Sequence, residues 1–172
     1  ETAQILSVKK EKKKVQPPKL YDLTTLQREA NRLLGFTAQQ TLDYTQSLYE
    51  KKLVTYPRTD SQYLTDDMEE NAFLVIDAVN RVFPEISMKG SEPEIKRLLN
   101  SKKVSDHHAI IPTVEIANTD LKALPGGEKE ILMLYLERMF SNMDGKKWKN
   151  GSLNHMGKMQ KSQKRRKVIF QI

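Results

Sequence analysis

Apolar positions recur at helical spacing in several stretches of the chain, separated by short polar breaks. Over residues 24–34, Leu26, Ala30, Leu33 and Leu34 share one face, and Gly35 supplies a stop. Thr37 and Gln40 stand at the spacing of a capping box, ahead of a second helix running to about Lys51. Residues 53–56 then form a short apolar run that predicts a strand. Thr65 precedes a third helix with the stripe Met68, Ala72, Val75, Ile76, Val79 and Phe83, ending before Pro84. A small helix over about 93–99 and a longer one over 128–142 complete the pattern. Helix, turn, helix and short strand is the order of a winged-helix-like module. The pattern therefore predicts an α+β fold, mostly helical, around such a core.

Charge changes this picture only at the C-terminal end. The net charge of +7 suggests nucleic acid. Yet residues 141–172 hold nine of the 29 basic and one of the 22 acidic side chains, which leaves twenty basic against twenty-one acidic before them. The basicity belongs to the tail, and such a tail binds nucleic acid with steep salt dependence and little sequence preference. Segment 9–14 reads as a basic arm. There is no cysteine, which removes disulfide frameworks and thiolate metal sites and agrees with a reducing compartment. The longest apolar runs, 72–76 and 131–136, are far short of the ~20 residues of a membrane helix. The chain opens on Glu1 rather than Met, which reads as a fragment or a processed product.

Candidate chemistry centres on Thr55-Tyr56-Pro57-Arg58-Thr59-Asp60-Ser61. A phenol with a free pKa of ~10 is a poor nucleophile without a neighbour that favours its anion or neutralises its target. Arg58 is such a neighbour, permanently charged and shaped to hold phosphate through two hydrogen bonds. Pro57 fixes one torsion between them. Asp60 either orients Arg58 or caps the following turn. The acids Asp66, Asp67, Glu69 and Glu70 are read as favourable charges at a helix N-terminus, about 0.3–1 kcal/mol each, rather than as metal ligands. The histidines lack the spacing of a two-histidine metal site, and no phosphate-binding Gly-rich loop occurs.

Four segments in register carry a resemblance. They are Leu20-Tyr21-Asp22-Leu23-Thr24-Thr25-Leu26-Gln27, Leu48-Tyr49-Glu50, the tyrosine segment, and His107-His108-Ala109-Ile110-Ile111-Pro112-Thr113. In this order the chain, from about Pro17 to Phe140, closely resembles the type IA DNA topoisomerases, especially the bacterial topoisomerase III-like branch. The resemblance implies that Tyr56 is the nucleophile, cleaving single-stranded DNA through a 5′-phosphotyrosine and resealing it without ATP. It implies that Arg58 stabilises the phosphorane and that His107 lies near the scissile phosphate, with Asp60 and Thr59 as further phosphate-contacting candidates. Gln46 and Tyr49 match positions that contact single-stranded DNA, although Tyr49 packing on Leu53 as core is an equal alternative. Thr113 is a phosphate donor on this reading and a turn or cap on the plainer one.

The resemblance also sets what the chain lacks. The family's acidic Toprim domain, N-terminal to this segment, holds Mg²⁺ and the glutamate beside the tyrosine, and no Asp-x-Asp-x-[Asp/Glu] pattern occurs here. No cofactor is therefore expected on this chain, its partners are single-stranded DNA and the missing Toprim domain, and alone it is expected to be deficient in cleavage. A cytoplasmic protein, associated with nucleoid or plasmid, is implied. The domain expectation is an arm or neighbouring strand over 1–18, a tyrosine domain over 19–140, and an irregular basic tail over 141–172. A DNA-binding module without chemistry, or a truncated relic, is the alternative function.

Overall fold

The computed structural model describes residues 17–83 and 95–143. Expectations for the N-terminal arm, for the first part of the small helix at 93–99 and for the basic tail lie mainly outside these residues. Four α-helices carry the fold: α1 Leu23–Leu34, α2 Ala38–Glu50, α3 Glu69–Val82 and α4 Gly126–Met143. The described part is mostly helical with little strand, since its extended segments pair only through isolated bridges.

Local chemistry sets each helix end. Asp22 caps α1 by accepting from the Thr25 amide, and Gly35 closes it at φ 74°, a left-handed torsion that costs glycine nothing. The box of Thr37 and Gln40 is formed in both directions at the start of α2. Thr65 precedes a 3₁₀ turn, Asp66–Met68, rather than an α-helix, and its side chain makes no capping hydrogen bond. The small helix is likewise a 3₁₀ turn, Ile95–Leu98.

The predicted strand over 53–56 is reduced to one bridge, Val54 opposite Pro112. Pro112 has no N–H, so the ladder cannot propagate through it. One step earlier, the Ile111 amide donates to the Thr55 hydroxyl at 3.0 Å instead of to a backbone carbonyl.

Helix α4 lies against α1 and α2, and α3 packs on the 3₁₀ turn Val114–Asn118. Ile131, Leu132, Leu134, Tyr135, Leu136, Met139 and Phe140 of α4 are all buried, and residues so distributed surround the helix axis. Helix α2 meets it partly through hydroxyls: Thr41 and Thr45 are buried and donate back to the carbonyls of Thr37 and Thr41. Gly127 allows close approach, because a Cβ there would come within 2.4 Å of the Tyr44 ring.

Polar groups inside this contact are paired. Glu128, 5% exposed, accepts from Ser47 and from Lys51. Arg138, 6% exposed, pairs with Glu29, donates to the Lys19 carbonyl at 3.0 Å and lies 3.9 Å from the centre of the Tyr21 ring. Replacing Arg138 with Ala removes one of the two cationic partners of the partly exposed Glu29, Arg32 remaining at 3.3 Å, and takes the guanidinium donor from the Lys19 carbonyl. The expected loss is about 1–3 kcal/mol, read as a lowered denaturation midpoint in urea.

Next to this pair, the Glu137 carboxyl is pushed up to about 7, first by burial and then by Glu29. Its unfolded value is lower, so the folded chain holds the proton more tightly. Stability linked to this group is complete below about pH 4.5 and is lost as the pH rises through about 7. Glu137→Gln is therefore expected to melt above the parent chain at pH 8, with the two melting temperatures converging by pH 4.5.

Candidate active site

The segment 107–113 is the seam on which the site is assembled. Ala109 donates its amide to the Tyr63 carbonyl at 2.9 Å, and Ile110 to that of Tyr21 at 2.9 Å. Thr55 donates to the Ile111 carbonyl at 2.9 Å, and Thr113 to that of Leu53 at 3.0 Å. The tyrosine segment is thus held before and after Tyr56 by one stretch of chain.

Three rings meet at Tyr56. Its ring centre lies 4.4 Å from that of His107, inclined by 45°, and 5.6 Å from that of Tyr49, edge-on at 79°. Both distances suit aromatic contact. Tyr49 is 38% exposed and faces Tyr56, so the alternative that made it core against Leu53 is replaced by a place at the site's rim. Tyr56 is half-buried, Pro57 buried, and His107 exposed.

Arg58 is exposed, and among the described residues no carboxylate comes within ion-pair distance of it. Asp60 does not orient it; its carboxylate instead accepts from the Ser105 hydroxyl at 3.4 Å. Arg58, Asp60, Asp106 and His107 line a cleft of about 390 Å³ whose other wall includes Leu23 and Thr24, at the N-terminus of α1. That helix end adds partial positive charge to a cleft otherwise holding one fixed cation and two acids.

Thr59 is committed to structure. It is 9% exposed, its hydroxyl donates to the His107 carbonyl at 2.8 Å and accepts from the Ser61 amide at 3.1 Å, and its carbonyl accepts from Leu23. One side chain thereby links the tyrosine segment to the histidine segment. Thr113 caps the 3₁₀ turn that follows by accepting from Glu115, and donates to the Lys52 carbonyl. Lys52 itself has φ 60°, a left-handed torsion unusual for a residue with a Cβ. Gln46 lies on α2 and donates to Glu50 at 3.0 Å.

Sequence reasoning missed the hydroxyls that set this geometry. Ser61 donates to the Lys103 carbonyl at 2.9 Å, and Gln62 bridges Asp22 and Thr25 at the start of α1. The alternation Thr55, Thr59, Ser61 was the signal, since short hydroxylated side chains in a loop commonly replace ladder bonds. Among the described residues no three metal-ligating side chains converge.

Comparison with known proteins shows the family. The family model described as DNA topoisomerase matches residues 1–170. The chain belongs to that family, within the bacterial type IA, topoisomerase III-like branch. It is 39% identical over 142 residues to DNA topoisomerase 3 of Shouchella clausii, covering 79% of the chain and 19% of that protein. To DNA topoisomerase 3 of Staphylococcus epidermidis it is 42% identical over 146 residues, covering 81% and 20%. Full-length topoisomerase I of Thermotoga maritima superimposes on 77% of the chain and 21% of its own length, with TM-score 0.51 at 31% identity. The chain spans about a fifth of the length of the curated relatives it matches. No described helix is long and apolar enough to cross a membrane.

Thr59→Val is expected to lose about 1–3 kcal/mol, because the buried Ser61 amide and the part-buried His107 carbonyl lose their shared hydroxyl, whereas Thr59→Ser keeps most of the stability. Denaturant melts of the two variants check this.

Proposed function

We propose that this chain carries the nucleophile of a type IA topoisomerase and acts on single-stranded DNA. The observation that carries the reading is the meeting of Tyr56, His107 and Tyr49 rings beside a cleft lined by Arg58, which has no carboxylate partner among the described residues. The Tyr56 hydroxyl loses its proton as its oxygen bonds to phosphorus. The P–O3′ bond breaks, and the departing 3′ oxygen takes up a proton. The reverse attack by that hydroxyl releases Tyr56, so one phosphodiester is exchanged for another and ATP is not needed.

Arg58 meets the charge that builds on the phosphorane, where a preorganised cation is most effective. His107, against the Tyr56 ring, is placed to contact phosphate or relay a proton. Tyr49, with its partly exposed ring, offers a stacking surface for a base, a contact worth about 1–3 kcal/mol for any sequence. Gln46 is a further strand contact on the same helix, while Thr59 and Thr113 serve the geometry of the loop.

On this reading the glutamate beside the tyrosine and the metal site are not this chain's own. Both come from a Toprim domain of the whole enzyme, and Mg²⁺ binds there when present. The chain alone is accordingly deficient in cleavage. The order of α1, α2 and the extended run at 53–56 supports a winged-helix-like reading of residues 19–140, flanked by the segments 1–18 and 141–172.

Covalent trapping tests the proposal. The chain is mixed with a Toprim domain from a relative, Mg²⁺ and labelled single-stranded DNA, then denatured. Label is expected on the protein, and Tyr56→Phe should abolish it while leaving non-covalent DNA binding nearly unchanged. Absence of an adduct from a folded, associated pair would favour a DNA-binding module without chemistry.

A further inference from the structure

A second aromatic group stands outside the cleft. The Lys19 ammonium lies 4.7 Å from the centre of the Tyr63 ring, and that of Lys103 lies 5.0 Å from it. Lys103 also donates to the Tyr63 hydroxyl at 3.5 Å. Two ammonium groups directed at one ring stand within about 10 Å of each other, a Debye length at 0.1 M salt. Among the described residues neither has a carboxylate partner.

All three residues are fixed at the backbone. The Tyr63 carbonyl accepts from Ala109, its amide donates to Ser61, and Ser61 in turn donates to the Lys103 carbonyl. The Lys19 carbonyl accepts from the buried Arg138. A solvated lysine face would spread its charges apart, whereas here the fold brings two together and leaves them uncompensated. The Tyr63 hydroxyl responds accordingly, held below its ordinary pKa first by Lys19 and then by Lys103.

The group is joined to the cleft by a short path. Lys103 and His107 are only four positions apart, a reach of at most about 14 Å, and Ser105, Asp106 and His107 on that path line the cleft. The nucleophile cleft offers a phosphate one fixed cation against two acids. A strand lying in it needs cations a few nucleotides away.

We propose that Lys19, Tyr63 and Lys103 form a second contact for single-stranded nucleic acid, in which each lysine meets a backbone phosphate and the tyrosine ring keeps the two together and offers a base its face. This rests on the functional reading above, since the strand held here is the one presented to Tyr56.

The test uses the full chain and a fluorescent oligodeoxythymidine, with binding followed by anisotropy across a salt series. Each lysine that meets a phosphate adds about 0.7 to the steepness of log affinity against log salt. The Lys19→Ala/Lys103→Ala double variant is expected to be less steep by about 1.4 and to bind on the order of tenfold more weakly at 0.1 M salt. Tyr63→Ala should lose affinity in the same direction and Tyr63→Phe should keep it. The basic tail is common to all these proteins and cancels in the differences. An unchanged slope in the folded double variant overturns the inference, and the Tyr56-dependent covalent adduct separates the two failures. If the adduct forms while the lysine pair leaves the slope unchanged, only the second contact falls; if no adduct forms either, the functional reading falls with it.

Discussion

The site depends on one stretch of chain, 107–113, serving several segments that are distant in sequence. Its amides and carbonyls hold Tyr21, Leu53, Thr55 and Tyr63 by backbone hydrogen bonds, and each bond contributes only about 0.5–1.5 kcal/mol net. Their value lies in what an unmade bond would cost in a buried place. Ala109, Ile110, Ile111 and Pro112 are buried, so their polar backbone groups require partners, and the partners available fix the register of the tyrosine loop. Pro112 keeps this seam from growing into a sheet, and Thr55 and Thr59 supply side-chain bonds where a ladder would have run. The result is a loop held at several points without the stiffness of a long strand pair.

The helices give this seam a base. Helix α4 is buried around its axis, and the charges it carries inward are met by α1 and by the C-terminal part of α2. Arg138 ties α4 to Glu29, to the Lys19 carbonyl and to the Tyr21 ring, and Tyr21 in turn bridges to Ile110 of the seam. Tyr21 also meets Tyr135 edge-on, with ring centres 5.8 Å apart. A chain of contacts therefore runs from the interior of α4 to the backbone beside the candidate nucleophile. A change in the helical core acts on the site through the position of 107–113.

Much of the helical frame was legible because its signals are local. Gly35, the Thr37–Gln40 box and the stripe of Ala72, Val75, Ile76 and Val79 each declare themselves within a few residues. The strand at 53–56 was misjudged because its partner contains a proline and because Thr55 offers its hydroxyl in place of its carbonyl, facts that depend on residues more than fifty positions away. Within the site, the nearness of Tyr56 to His107 was implied by resemblance and not by any spacing. The roles of Thr59 and Ser61 were hidden for the same reason: a hydroxyl in a loop reads alike whether it faces phosphate or a backbone carbonyl. Lys19, Tyr63 and Lys103 lie far apart in sequence and became a group only through the fold.

On the proposed reading, the balance of charge in the cleft bears on how a single strand is held there. Arg58 is one cation against Asp60 and Asp106, and at an effective dielectric of 20 a unit charge at 4 Å is worth about 4 kcal/mol before screening. A phosphate entering beside Arg58 thus gains attraction and meets repulsion of similar size, unless it lies on the Arg58 side and beyond the reach of both acids. The same asymmetry suits chemistry better than tight binding. An arginine held close to the reacting phosphorus acts where charge increases, while nearby acids keep the resting cleft from retaining any passing anion. On the proposed reading, affinity is then supplied from outside the cleft, by stacking on Tyr49, by cations away from the scissile bond, and by the rest of the enzyme. That division leaves Arg58 free to favour the phosphorane over the bound strand, which is the difference on which rate depends.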